Sequence, residues 1–254
     1  MREYLRKISL IKYLVIIWRT FRPSYGLTNR VKSLFSFFHN YLKFKKLARN
    51  YSYNVDSYDI YPRIYDKTAS HKIDPVYFFQ GTWCARKIFE NKPSEHFDVG
   101  SQSFMVGIIS QFTPTTMIDI RELPIILSGL SCKKGDITKL SFKKNSISSL
   151  SSICVIEHIG LGRYGDKLDQ FGTEKAADEL ARVLASGGNL YISVPIDSCN
   201  KIYFNAHRAF TRDYVLKMFQ NLKLKEEQYI YGRELLPSYS PERGFGTGLY
   251  HFTK

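Results

Sequence analysis

The sequence predicts an α/β fold, built on a mostly parallel sheet with helices on both faces and preceded by a basic helical extension. Two observations predict it. From residue 76 onward, short apolar segments typical of strands alternate with helical stretches. Residues 1–50 carry twelve basic residues and one acidic residue, which is +11 of the formal net charge of +14. We therefore expect a basic arm at 1–50, a connector at 51–75 and the α/β domain at 76–254.

The arm is predicted to form two helices, which Pro23 and Gly26 separate. The second begins near Thr28 and Asn29. Its apolar face contains Val31, Leu34, Phe35, Phe38 and Leu42, with Lys32, His39, Lys43 and Lys46 opposite. Such a basic, aromatic helix is typical of one that lies on an anionic membrane. Packing against the protein's own domain explains the same pattern, and nucleic-acid phosphates attract the same charge, so three interpretations stay open.

Composition favours a cytoplasmic protein, peripheral at the inner membrane face if the arm binds lipid. The cysteines are scattered and form no CxxC pair, which disfavours a zinc site or a disulfide framework. The longest apolar run, residues 8–18, would span only about 16 Å as a helix against a hydrocarbon core of about 30 Å. No small-x-small cleavage site follows it, so a signal peptide is also disfavoured.

The elements of the domain follow from periodicity and turn signals. A helix is expected at 77–90, and strands at 96–99, 116–120, 130–134, 150–154 and 189–194. A second clear helix covers 173–184 and is closed by a turn at Ser186, Gly187 and Gly188. Two last strands, near 228–231 and 248–252, are expected to form an antiparallel hairpin at the edge of the sheet.

Candidate ligand-binding residues come from the strand ends, because ligands of parallel sheets bind outside the carboxyl ends of the strands. An acid such as Asp119 can accept hydrogen bonds from two ribose hydroxyls, Asp136 can accept from an adenine amino group, and Ile137 can pack on the ring. Nicotinamide and flavin dinucleotides are disfavoured, since GSQSFMVG lacks the second glycine of G-x-G-x-x-G. The candidates at the four strand ends are Asp98, Gly100, Ser101, Gln102, Asp119, Ile120, Asp136, Ile137, Glu157 and His158.

In this order, DVGS, MIDIR, GDIT, EHIG and RVLASGGNLYISVP resemble the successive motifs of class I S-adenosylmethionine-dependent methyltransferases, from Tyr77 to the C-terminus. The segments EHIGLGRYGD, GGNLYISVP and FNAHRAFT are similar to a poorly characterised branch, described as a domain of unknown function, whose members often accompany surface-polysaccharide genes. The resemblance implies a Rossmann-like, seven-stranded sheet with a reversed last strand.

The resemblance also implies S-adenosyl-L-methionine as cofactor. Its methionine moiety would lie near Asp98 and Gly100, its ribose at Asp119, and its adenine at Asp136 and Ile137. Backbone at Ser152, Ile153 and Cys154 would line the methionine side. The sequence departs from the family pattern at Gln102, where a second glycine is usual, and at Ser148, where an acid is common.

The function implied is methyl transfer to a sugar or glycan-like acceptor, at a hydroxyl group, in surface-polysaccharide biosynthesis. A base should remove the hydroxyl proton, and histidine suits that role at neutral pH. His158 is preferred, with His207 as the alternative, and Asp166 lies beside Tyr164 on a glycine-rich loop that would cover the acceptor. Each of these residues also has a purely structural interpretation, as a helix-start residue, a capping residue or part of a surface turn.

Two other functions compete with this one. A degenerate module with the same fold would bind a membrane or a partner enzyme without methylating. A nucleic-acid methyltransferase is disfavoured, because no Asn/Asp-Pro-Pro-Tyr/Phe run follows the fourth strand and residues 51–254 carry only +3. The aromatic residues at 77–83 are expected in the core, with a substrate wall as the alternative.

Overall fold

The computed structural model describes residues 27–47, 62–64, 66 and 68–254. The chain divides into two units, Met1–Lys72 and Ile73–Lys254. The first unit contains helix α1 (Leu27–Leu47), the second helix predicted for the arm. The helix predicted before Pro23 lies outside the described residues. Among the helices that the structure describes, none is both long and apolar enough to cross a membrane.

The second unit is built on one eight-stranded sheet. Its strands along the chain are β1 (His96–Val99), β2 (Thr115–Asp119), β3 (Leu130–Lys134), β4 (Ile147–Ile153), β5 (Leu184–Ile196), β8 (Lys223–Tyr231), β9 (Glu234–Leu236) and β10 (Gly246–Thr253). The strand order is β3-β2-β1-β4-β5-β10-β8-β9. Strands β1 to β5 pair in parallel, whereas β10 runs antiparallel to both β5 and β8. The predicted α/β fold with a reversed last strand is confirmed.

Three details differ from the prediction. The sheet has an eighth strand, because β8 turns at Gly232, whose φ is +62°, into the short antiparallel edge strand β9. Strand β10 lies between β5 and β8 instead of at the edge. The turn expected at 186–188 belongs to β5, which begins directly after its preceding helix and carries a register shift there.

Helices cover both faces of the sheet. They are α2 (Pro75–Asn91), α3 (Ser103–Ile109), α4 (Gly172–Val183) and α5 (Arg212–Met218). Neighbouring residues of one strand point to opposite faces. In β5, Tyr191 packs with residues of α2 and α3, whereas Leu190 and Ile192 pack with residues of α4 and α5. The core therefore has two layers, one on each side of the sheet.

A small second sheet follows β5 and was not predicted. It is an antiparallel hairpin of β6 (Lys201–Tyr203) and β7 (His207–Ala209), closed by a hydrogen bond from the N–H of Ala206 to the carbonyl of Tyr203. A parallel bridge between Ile196 and Phe210 anchors it to the end of β5. The hairpin therefore lies at the carboxyl edge of the main sheet, where the candidate residues were expected.

Candidate functional site

A cleft opens at the carboxyl ends of β1, β2 and β4, where the strand order reverses, as expected for this class of sheet. It consists of two adjoining cavities with empty volumes of about 530 and 970 Å³. Ile120 and Ile137 line the first, and Tyr77, Ser101, Gln102 and Ile153 line the second. Residues that line both are Gly100, Asp119, Arg121, Cys154, His158 and Tyr164.

The turn from β1 into α3 brings backbone close to the cleft. Gly100 has a φ of +75°, and a Cβ atom at this position would lie 2.8 Å from Cγ1 of Val155. Only glycine meets both conditions without strain. Gln102, by contrast, has a φ of −62°, which any residue adopts. Glycine is therefore not required at 102 by the backbone conformation.

Asp98 was predicted at the methionine end of the cofactor, but the structure places it behind the cleft wall. It is fully buried, and its carboxylate accepts hydrogen bonds from the N–H of Ser101 at 3.0 Å and the hydroxyl of Ser151 at 2.5 Å. Burial raises the pKa of Asp98 to about 6, although these hydrogen bonds lower it. Asp98 holds the turn that presents Gly100 and does not itself line either cavity.

Asp119 ends β2 and faces both cavities. Its Oδ1 accepts a hydrogen bond from the N–H of Arg121 at 2.8 Å, and the guanidinium Nε of Arg121 lies 3.8 Å away. Its Oδ2 accepts no hydrogen bond from the residues that the structure describes, and the side chain is 16% exposed. An oriented carboxylate with one free oxygen is suited to accept from a diol such as a ribose.

The end of β3 supplies an apolar surface. Ile137 is buried and lines the first cavity together with Ile118, Ile120 and Gly135. Asp136, predicted to bind the adenine amino group, lies beside this surface and lines neither cavity. Its Oδ1 accepts from both the N–H and the hydroxyl of Thr138. An apolar surface is therefore present where adenine was predicted, and the roles of Ile137 and Asp136 in binding adenine stay predictions.

The residue directly after β4 has a strained backbone conformation. Cys154 has a φ of +52°, which residues with a Cβ atom seldom adopt and which concentrates at functional sites. Its sulfur lies 2.7 Å from the side-chain amide of Gln80 and 3.3 Å from the hydroxyl of Ser193. Ser152 is buried, and its hydroxyl donates to the carbonyl of Val99, so it ties β4 to β1. Of the predicted residues 152–154, Ile153 and Cys154 line the cleft.

His158 follows β4 on a short 3₁₀ helix, Ile156–His158, and lines both cavities. Its Nδ1 lies 2.6 Å from the carbonyl oxygen of Ala206. A carbonyl can only accept, so Nδ1 carries the proton and Nε2 of the neutral ring is unprotonated. Burial lowers the pKa of His158 to about 4, although this hydrogen bond raises it, and the ring is neutral at physiological pH.

Glu157 lies beside His158 but is buried beneath the cleft. One of its oxygens lies 3.6 Å from Nε2 of His158, and the other has no hydrogen-bond partner among the described residues. Burial raises the pKa of Glu157 to about 8. The pKa of Glu157 therefore lies above that of His158, the reverse of the usual order. At neutral pH the pair consists of a protonated carboxyl and a neutral imidazole.

The structure gives Asp166 a role in loop conformation. Its Oδ2 accepts from the N–H groups of Gly160 and Gly162, and its Oδ1 from that of Tyr164. Partial burial raises the pKa of Asp166, but these three hydrogen bonds outweigh it and leave the pKa below its ordinary value. The prediction of Asp166 as a catalytic group is not supported by this geometry, because its oxygens are used to shape the loop that presents Tyr164.

His207 lies next to His158, with ring centroids 6.5 Å apart, but it lines neither cavity. The adjacent Arg208 is buried and clamps the loop. Its guanidinium donates to the carbonyls of Ile159, Asp169 and Gln170. The β6–β7 hairpin therefore positions both His158, through Ala206, and the loop that carries Tyr164.

Sequence reasoning did not assign Arg121 to the cleft, and it placed Tyr77 in the core with a substrate wall as the alternative. Arg121 lines both cavities and lies over the ring of Tyr164, 4.6 Å from its centroid. Its position directly after the second strand was the available signal. Tyr77 was expected in the core, yet it is half exposed and lines the second cavity, while Trp83 of the same helix is buried. The helical spacing of six residues places these two side chains on different faces.

The family model described as "Caenorhabditis protein of unknown function, DUF268" matches residues 133–240. This agrees with the predicted branch and covers less than half of the chain. No curated protein matches the chain.

Several solved structures share the fold. The 1,6-didemethyltoxoflavin-N1-methyltransferase of Burkholderia thailandensis, with S-adenosylhomocysteine bound, is 11% identical, with a TM-score of 0.51 over 91% of this chain and 92% of that one. A putative sarcosine dimethylglycine methyltransferase of Galdieria sulphuraria is 12% identical, with a TM-score of 0.51 over 72% and 91%. The [4+2]-cyclase SpnF is 9% identical, with a TM-score of 0.52 over 68% and 81%. The chain thus shares its mixed α/β, Rossmann-like fold with these three proteins.

Proposed function

We propose that this protein transfers a methyl group from S-adenosyl-L-methionine to a hydroxyl of a sugar or glycan-like acceptor in surface-polysaccharide biosynthesis. The observation that carries the proposal is that Gly100, Asp119 and His158 line one cleft. They supply a glycine turn, a carboxylate suited to accept hydrogen bonds from ribose hydroxyls, and a neutral imidazole. The polysaccharide role rests on the resemblance of EHIGLGRYGD and FNAHRAFT to the branch described above.

The residues of the cleft fit the cofactor. The absence of a Cβ atom at Gly100 leaves room for close backbone approach, Asp119 offers a free carboxylate oxygen, and Ile137 offers an apolar surface for a planar ring. Gly100 and Asp119 line both cavities, and Ile137 lines the first. When bound, S-adenosylmethionine supplies a methyl group made electrophilic by its sulfonium.

His158 is suited to take the acceptor's proton. The carbonyl of Ala206 holds the ring in the tautomer that leaves Nε2 free to accept, as in other histidine bases whose second nitrogen is fixed by a carbonyl. Burial, which lowers the pKa of His158, keeps the ring neutral over the physiological range. The imidazolium formed by proton transfer would lie 3.6 Å from an oxygen of the neutral Glu157 carboxyl.

A row of rings beside His158 supports a sugar acceptor. The rings of His207, Tyr203 and Phe245 form a cluster with centroids 5.0 to 6.3 Å apart, and His158 contacts both Tyr164 and His207. Tyr203 and Phe245 are partly exposed. Sugar rings offer apolar C–H faces, and exposed aromatic rings are the surfaces on which such faces pack.

A non-methylating module is the second candidate, and one comparison favours keeping it. SpnF, which has a similar fold, is a [4+2]-cyclase, and a shared fold does not dictate the reaction. The backbone conformation of Gln102 disfavours the degenerate module. Its φ of −62° shows that glutamine, in place of the usual glycine, leaves the backbone of the turn unstrained.

The test is transfer of a labelled methyl group from S-adenosylmethionine to three acceptor pools: nucleotide sugars, extracted capsule or lipopolysaccharide precursors, and nucleic acid. We expect label in a sugar-containing pool, with loss of transfer but retained S-adenosylhomocysteine binding in His158→Ala. The matched variant His207→Ala tests the alternative base. Label in nucleic acid alone would contradict the acceptor class, and cofactor binding without any transfer would favour the module.

A further inference from the structure

We propose that helix α1 (Leu27–Leu47) is an interfacial helix that binds the surface of an anionic lipid bilayer. The proposal is independent of methyl transfer and concerns where the protein works. Three properties of the helix support it: an exposed apolar face, charged residues of positive sign only, and a row of basic residues beside the apolar face.

The apolar face is continuous along the helix. Its members follow a spacing of three and four residues, which places them on one side of an α-helix at about 100° per residue: Val31, Leu34, Phe35, Phe38 and Leu42. All five are exposed, with Phe35 at 74% and Leu42 at 58%. A continuous exposed apolar face of this kind marks an interaction surface.

Every formal charge in the helix is positive. It contains five cationic residues and no aspartate or glutamate: Arg30, Lys32, Lys43, Lys45 and Lys46. Lys32, His39, Lys43 and Lys46 are spaced by seven, four and three residues, so they form a second row about a quarter turn from the apolar face, and not opposite it as predicted. The long, flexible side chains of the three lysines can extend to the level of the lipid headgroups while the apolar face enters the acyl-chain region.

A bilayer with anionic headgroups satisfies both rows at once. The apolar face enters the boundary of the acyl chains, and the ammonium groups meet lipid phosphates in the plane above. A second copy of this helix would cover the phenylalanines but bring like charges together. Nucleic acid would pair with the lysines and leave Phe35 and Phe38 in water. The combination of the two rows therefore favours lipid.

The experiment is flotation of the whole chain with vesicles of phosphatidylcholine, with or without phosphatidylglycerol. We expect binding to the phosphatidylglycerol vesicles that weakens with salt. The triple variant Lys32→Gln, Lys43→Gln, Lys46→Gln should weaken it about 100-fold, at about fivefold for each lysine near an anionic surface. A matched control removes the same charge from exposed positions of the second unit: Lys133→Gln, Lys139→Gln, Lys143→Gln.

The apolar contribution is tested separately. Phe35→Ser with Phe38→Ser should weaken vesicle binding by about 10-fold or more, since each buried phenylalanine contributes on that scale. The control pair, Phe104→Ser with Ile126→Ser, removes two exposed apolar side chains from the second unit and should leave binding unchanged. Circular dichroism and thermal melting show that each variant is folded.

Four results would overturn the proposal. They are absence of binding to anionic vesicles, equal binding to vesicles with and without phosphatidylglycerol, equal losses in the control variants, and self-association that Phe35→Ser with Phe38→Ser abolishes. Binding to nucleic acid that the lysine variants abolish, without vesicle binding, would assign the helix to nucleic acid instead. None of these outcomes depends on whether the protein transfers methyl groups.

Discussion

Replacing Asp119 tests the cofactor site at its centre. In the structure this carboxylate is oriented by the N–H of Arg121, and Oδ2 is left without a described donor. Two ribose hydroxyls would donate to it, each hydrogen bond contributing about 1.5–3 kcal/mol because the acceptor is charged. Asp119→Ala should therefore weaken S-adenosylmethionine binding by about 100-fold or more, since about 1.4 kcal/mol corresponds to a factor of ten.

The series Asp119→Asn and Asp119→Ala separates charge from hydrogen bonding. The asparagine keeps one acceptor and should lose about 10-fold in affinity. Asp213→Ala is the matched control, because it removes an aspartate that is 94% exposed on α5. Calorimetry with S-adenosylmethionine measures all four proteins, and thermal melting shows whether they are folded. An unchanged dissociation constant in Asp119→Ala would refute the ribose assignment.

Three further predictions follow from the geometry around the cleft. Gly100→Ala should abolish cofactor binding measured by calorimetry and lower the melting temperature, because the new methyl group meets Val155 at a φ of +75°. Glu157→Gln should remove one contribution to the pH dependence of stability: burial raises the pKa of Glu157 to about 8, so the native state binds its proton more tightly and the contribution of Glu157 to the free energy of unfolding falls as the pH rises from about 4.5 to about 8. Denaturant titrations of the wild type and the variant at several pH values measure it, and the wild-type free energy relative to that of the variant should fall over this range. Arg208→Met should increase proteolysis of the loop at 160–170, because the carbonyls of that loop lose their donors, while an unchanged cleavage rate would show that the loop is held by other contacts.

Much of the fold could be predicted because its signals are local. The strands His96–Val99 and Leu130–Lys134 have the predicted bounds, since each is a short segment between clear turn residues. Gly100 could be identified because a glycine directly after a strand has a specific conformational use. The central strand β5 extends beyond both predicted ends and β4 begins three residues early, because pairing with neighbouring strands continues where the local pattern weakens.

The remaining features depend on contacts between distant segments. Asp98 and Asp119 look alike in sequence as acids at strand ends, but Ser151 of a neighbouring strand closes over Asp98 and buries it. Likewise, the tautomer of His158 depends on Ala206, which lies 48 residues away in a hairpin that carries no strong strand signal. Neither relation can be read from periodicity or spacing.

The central claim is that the cleft binds S-adenosylmethionine. Calorimetric titration of the purified chain with this compound is its most direct test. The arrangement of Gly100, Asp119 and Ile137 predicts one site per chain with a dissociation constant in the micromolar range. No binding at millimolar concentration of the compound, by a chain that melts cooperatively, would contradict it.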